Sequence, residues 1–145
     1  MRVVIDTNIF VSAAINPRGA LAQVLDAWRD HQYELLISPS ILEEVLEVIK
    51  RPSIRSRHGW SDEEIEIFFR GLQLFAVITP DDFAIAEVED DPDDDKFLVC
   101  AVEGAADYII SGDPHLLDIE YYQKIPIINP NQFLDTLSPQ ETTTD

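Results

Sequence analysis

Val3-Val4-Ile5-Asp6-Thr7-Asn8 opens the chain, and its reading decides the fold. Three consecutive apolar residues read as a buried strand. A carboxylate directly after such a strand calls for a reason, because open α/β sheets build their sites at the carboxyl ends of strands. Tyr108-Ile109-Ile110-Ser111-Gly112-Asp113 places a second acid after a second apolar run. Each acid also has a bland reading: Asp6 as an Asx-turn and Asp113 as the cap of a short helix beginning at Pro114-His115. Equivalent positions after two strands make the pair harder to dismiss than either member.

Between these runs the chain alternates. Gly19 to Arg29 carries Leu21, Val24, Leu25 and Trp28 at helical spacing. Tyr33 to Ile37 reads as a strand, and Ser40 as the N-cap of a helix from Ile41 to Ile49 that stops near Arg51-Pro52. Ser61-Asp62-Glu63-Glu64 has the capping-box pattern ahead of Ile65, Phe68, Phe69 and Leu72. Ala76 to Thr79 is a short strand candidate, and Asp95 to Glu103 a helix ended by Gly104. Tyr108 to Ser111 and Ile125 to Ile128 are further strands, with Pro126 suggesting an edge. Strands alternating with helices imply an α/β fold, a mainly parallel sheet covered on both faces.

Composition bounds the rest. A chain of 145 residues with 46% hydrophobic content suits one domain, here 1–137, followed by a tail from Ser138 to Asp145 without apolar periodicity. The single Cys100 lies in an apolar run and reads as a core residue, consistent with a reducing compartment. No secretory or membrane-spanning run is present, so the expected location is the cytoplasm. The formal charge of −18 argues against nonspecific attraction to nucleic acid and favours cationic partners, metal ions included. Against that background Lys50, Arg51, Arg55 and Arg57 fall together beside His58, either as a solvated loop or as a phosphate-contacting patch.

Two more acids stand out. From Glu87 to Asp95 seven of nine residues are acidic, more than one helix N-terminus needs. Asp95, adjacent to the buried helix, is best placed to reach a counter-cation. On the helix from Ile41, Glu44 borders the apolar face, Glu43 borders its other edge slightly farther out, and Glu47 points away. Geometry alone prefers Glu44 by a small margin, and a solvated glutamate stays open.

Val3-Val4-Ile5-Asp6-Thr7-Asn8, Ile41-Leu42-Glu43-Glu44-Val45, Asp93-Asp94-Asp95-Lys96-Phe97-Leu98 and Ala106 through Asp113 together resemble the PIN domain, in order and at suitable spacing from about Arg2 to Phe133. The likeness is to VapC-like toxins of bacterial toxin–antitoxin systems. It implies a PIN-like (Rossmann-like) three-layer fold and a Mg²⁺- or Mn²⁺-dependent endoribonuclease cutting single-stranded RNA. It also implies a homodimer silenced by a cognate antitoxin. The family's acidic positions fall on Asp6, Glu44, Asp95 and Asp113, with Asp93 and Asp94 adjacent alternatives for the third. Its supporting polar residues fall on Asn8 and Ser111. In that chemistry Asp6 and Asp113 are direct ligands, Asp95 a ligand directly or through water, and Glu44 a ligand able to orient the attacking water. Arg51, Arg55 and Arg57 are the clustered candidates for holding RNA.

Other classes fit less well. A phosphatase with an aspartyl nucleophile resembles Asp-x-Asp, whereas the third position here is Asn8. Gly-x-Gly-x-x-Gly is absent, and one Cys with scattered His31, His58 and His115 gives no zinc spacing. The serious competitor is a PIN-fold protein acting as a non-catalytic binding or regulatory module.

Overall fold

The computed structural model describes residues 1–82 and 95–137. The expected tail from Ser138 to Asp145 and the acidic run from Glu87 to Asp94 lie outside the described residues. Among the described residues the chain runs β1 (Arg2–Ile5), α1 (Thr7–Ile15), α2 (Ala20–Arg29), β2 (Glu34–Ile37), α3 (Pro39–Ile49), α4 (Pro52–His58) and α5 (Asp62–Phe75). It continues with β3 (Val77–Ile78), α6 (Asp95–Gly104), β4 (Tyr108–Ile110), α7 (Pro114–Leu117), β5 (Tyr121–Tyr122), β6 (Ile125–Ile128) and α8 (Pro130–Leu137).

The strands form one sheet in the order β3-β2-β1-β4-β6-β5, and every pairing is parallel except that of β5 with β6. Val3, Val4 and Ile5 of β1 are all essentially inaccessible. Successive side chains of a strand point to opposite faces, so this burial means that both faces are covered. From β1 the chain steps outward to β2 and β3, then returns to place β4 on the other side of β1. The point where strand order reverses therefore lies between β1 and β4, where the crevice of an open α/β sheet forms.

Local chemistry explains most of the elements. Ser61 Oγ accepts from Glu64 N at 3.1 Å and Glu64 Oε1 accepts from Ser61 N at 2.9 Å, so the capping box forms as its sequence predicts. Four expectations need correction. Helix α1 follows β1 at once, and the sequence shows it poorly because Ile9, Phe10, Val11, Ala13 and Ala14 are buried around most of its circumference. Helix α3 begins two residues earlier than expected: Ser38 Oγ accepts from Ile41 N at 3.3 Å, and Pro39 enters the first turn, where its missing N–H costs nothing. Ser40 instead gives its N–H and hydroxyl to the Asp81 carboxylate. Half of the basic cluster, Arg55 and Arg57, lies on a helix, α4, which Arg51 precedes as N-cap and Gly59 ends at φ 70°, a conformation glycine adopts without penalty. Finally, β6 is internal, because the two-residue β5 pairs on its far side. Pro126 is tolerated there because the register with β4 starts one residue later, at Ile127.

Helix α6 packs on β1, β2 and β4. Gly104 makes that approach feasible: a Cβ there would lie 2.5 Å from Leu36 Cδ1. Among the described residues no helix is long and apolar enough to cross a membrane.

Candidate active site

Asp6 ends β1 and caps α1. Its backbone N–H continues the sheet by donating to Ile110 O at 3.0 Å, and its Oδ1 accepts from Asn8 N at 3.1 Å. The Asx-type capping anticipated as the bland reading is therefore present, and it does not exhaust the residue. Asp6 Oδ2 accepts from Ser111 Oγ at 2.7 Å, although the residue as a whole is only 4% exposed. Asp113 likewise caps α7, with Oδ1 accepting from His115 N at 2.9 Å, while its own N–H donates to Ser111 Oγ at 2.9 Å. One serine hydroxyl thus bridges the acid after β1 and the backbone of the acid after β4.

Glu44 reaches the same region from α3. Its Oε1 accepts from Thr7 Oγ1 at 2.5 Å, and its Oε2 faces Lys96 Nζ at 3.3 Å. Thr7 follows Asp6 directly, which brings the glutamate to the end of β1. Glu43 and Glu47 are exposed, in agreement with the preference for Glu44 on the helical wheel. The charges of Asp113 and Glu44 both act on Asp6, whose carboxyl is held above the ordinary carboxylate value of 3.8. Burial is the largest cause, the two like charges add to it, and the hydrogen bonds from Ser111 and Asn8 oppose it.

Asp95 opens α6, beside Lys96 and across from α3, while Asp93 and Asp94 lie outside the described residues. Asn8 supports Asp6 through its backbone, and the residue also lines a cleft of about 530 Å³. Ser12 of α1 and Asn16, which follows that helix, line the cleft together with Arg51 and Arg57. Arg55 points elsewhere, to Asp62 Oδ1 at 2.7 Å, and Arg51 also pairs with Glu47 at 3.1 Å. His58 is a structural residue: its Nδ1 accepts from Trp60 N and its Nε2 meets Ile49 O.

Two contributors escaped the sequence reading. Thr7 follows Asp6 directly, but nothing in Val3-Val4-Ile5-Asp6-Thr7-Asn8 tells which acid its hydroxyl meets. Lys96 carried a signal, as the one cation between Arg70 and Lys124 in a strongly acidic stretch. The described residues contain no three His, Cys, Asp or Glu side chains drawn together tightly enough to hold a metal ion as placed. Their donor chemistry nevertheless fits a hard divalent cation: carboxylate oxygens only, with a buried aspartate whose negative charge is disfavoured by its surroundings.

Fold and site together define an α/β protein with an acidic cluster at the switch point of a mainly parallel sheet. Residues 2–115 match the PIN domain, and the chain belongs to that family. It is similar to uncharacterized protein MJ1680 of Methanocaldococcus jannaschii, with 34% identity over 142 residues, covering 97% of this chain and 88% of that protein. Its fold is that of a chain in the crystal structure of VapBC2 from Rickettsia felis bound to a promoter DNA fragment. The TM-score is 0.59 at 17% identity, over 89% of this chain and 98% of the other.

Proposed function

We propose that the protein is a Mg²⁺- or Mn²⁺-dependent endoribonuclease that hydrolyses phosphodiester bonds of single-stranded RNA in the cytoplasm, as the toxin of a toxin–antitoxin pair. The observation that carries this reading is the buried Asp6, set against the charges of Asp113 and Glu44 at the carboxyl ends of β1 and β4. The like charges of Asp113 and Glu44 disfavour ionisation of the buried Asp6, and a divalent cation among them would offset that repulsion. Asp6 and Asp113 would hold the ion directly, and Asp95 directly or through water. When bound, Mg²⁺ or Mn²⁺ supplies a more acidic water for attack and offsets charge building on the phosphate oxygens.

The chain's own part is positioning. Ser111 and the Asn8 N–H fix the Asp6 carboxylate, Thr7 fixes Glu44, and Glu44 orients the attacking water. The cleft leading from Asn8 offers Arg51 and Arg57 to the phosphates of a bound strand, with Ser12 and Asn16 as polar lining. Arg55, engaged with Asp62, is the weakest of the three arginine candidates. Control by a cognate antitoxin belongs to the same proposal, supported by the fold shared with a VapBC2 chain, and a homodimer is part of the proposal as well.

Cleavage of a panel of RNAs with Mn²⁺ or EDTA, beside Asp6→Asn protein, tests the reading. Metal-dependent cutting by wild type alone is expected. RNA or protein binding with no cutting under any metal condition would instead establish a non-catalytic PIN-fold module.

A further inference from the structure

We propose that Lys96 is a positioning residue of the acidic cluster: its ammonium pins the Glu44 carboxylate and sets how strongly the cluster takes up a divalent cation. The inference rests on the metal-dependent reading above and adds a residue that reading does not use.

Glu44 is held from two sides. Thr7 Oγ1 donates to Oε1 at 2.5 Å, and Lys96 Nζ meets Oε2 at 3.3 Å. The Lys96 and Glu44 side chains are only 18% and 29% exposed, so solvent screens this pair far less than the five exposed ion pairs elsewhere among the described residues. The position is specific in a chain with 28 acids and 10 lysines and arginines. Lys96 follows Asp95 on the first turn of α6, so one turn of helix delivers both a proposed ligand and the ammonium facing another.

That ammonium has two opposed effects. It lowers the negative potential shared by Glu44, Asp6 and Asp113, which weakens attraction for a second cation. It also fixes the glutamate in one orientation, which favours turnover. Removing the charge while keeping the chain length should therefore move the two quantities in opposite directions, an outcome that loss of packing does not produce.

Mn²⁺ binding to the full chain, measured by calorimetry for wild type, Lys96→Met and Lys96→Arg, tests this alongside RNA cleavage. One unit charge in contact with a ligand carboxylate is worth about a tenfold change in cation affinity in a partly exposed site. Lys96→Met is expected to bind Mn²⁺ about tenfold tighter and to turn over about tenfold more slowly with KM for RNA little changed. Lys96→Arg is expected to keep near wild-type Mn²⁺ affinity. Equal or weaker Mn²⁺ binding by Lys96→Met overturns the proposal. If Lys96→Met does not fold, the comparison is made in the Glu44→Gln background, where no carboxylate at position 44 is left unpaired. There the added Lys96→Met change is again expected to tighten Mn²⁺, and unchanged affinity overturns the proposal. Wild type that binds no Mn²⁺ overturns the metal site itself and this inference with it, a result distinct from equal binding by wild type and variant.

Discussion

Ser111 Oγ donates to Asp6 Oδ2 at 2.7 Å across 105 residues of sequence, and the same oxygen accepts from the Asp113 N–H at 2.9 Å. The hydroxyl is fully buried, so neither bond competes with water. Replacing it leaves a buried carboxylate oxygen and a backbone donor without their partner. Ser111→Ala is expected to destabilise the fold by about 1–3 kcal/mol, the cost of unsatisfied buried polar groups. Urea denaturation of both proteins checks this, and a loss under about 0.5 kcal/mol would show that the bridge contributes little.

Asp6→Asn and Asp113→Asn keep residues able to cap α1 and α7, so both variants should fold. RNA cleavage is expected to disappear in each. Without metal each should be as stable as wild type or more so at neutral pH, because one member of a repelling cluster has lost its charge. Mn²⁺ should raise the melting temperature of wild type and much less that of the variants, since binding to the native state stabilises it by mass action. Thermal melts in EDTA and Mn²⁺ read both effects, and equal metal shifts in all three proteins would refute a shared ion site.

The pH dependence follows from Asp6. Its carboxyl titrates above its ordinary value of 3.8 in the folded protein, chiefly through burial. The native state therefore binds a proton that the unfolded state has already released. Asp6 favours folding below that ordinary value, and this contribution is lost as pH rises through the raised folded value. In EDTA, the stability of Asp6→Asn relative to wild type should increase as pH climbs from about 4. A difference that stays flat or shrinks over that range would contradict the assigned shift.

Arg51 and Arg57 share a cleft with Asn8, whereas Arg55 is tied to Asp62. Arg51→Gln and Arg57→Gln should each weaken single-stranded RNA binding and reduce the slope of log affinity against log salt by about 0.7, the value of one lost phosphate contact. Arg55→Gln should change the slope less. Titrations at several salt concentrations decide it, and identical slopes for all variants would make the cluster a solvated surface.

Two glycines should respond in opposite directions. A Cβ at Gly104 would overlap Leu36, while one at Gly71 in α5 meets nothing within 4 Å. Gly104→Ala is expected to destabilise by about 1–3 kcal/mol through overpacking. Gly71→Ala should stabilise by about 0.5–1 kcal/mol through helix propensity. Denaturation midpoints report both changes, and stabilisation by Gly104→Ala would place α6 farther from β2 than described.

What the sequence by itself determined is local. The capping box at Ser61, the apolar runs of β1 and β4, the orientation of Glu44 beside the apolar face of α3 and the acids after two strands all depend on residues a few positions apart, where side-chain period is set by the backbone. The same locality explains its failures. An almost evenly apolar α1 has no stripe to read, and Ser38 and Ser40 are both plausible caps until Asp81 engages Ser40. Only the tertiary structure decided that β4 lies beside β1, that Ser111 joins Asp6 to Asp113, and that Lys96 meets Glu44 across 52 residues. These contacts depend on strand order and helix packing, which arise because the whole chain must bury both faces of one sheet. No spacing within a single segment encodes them.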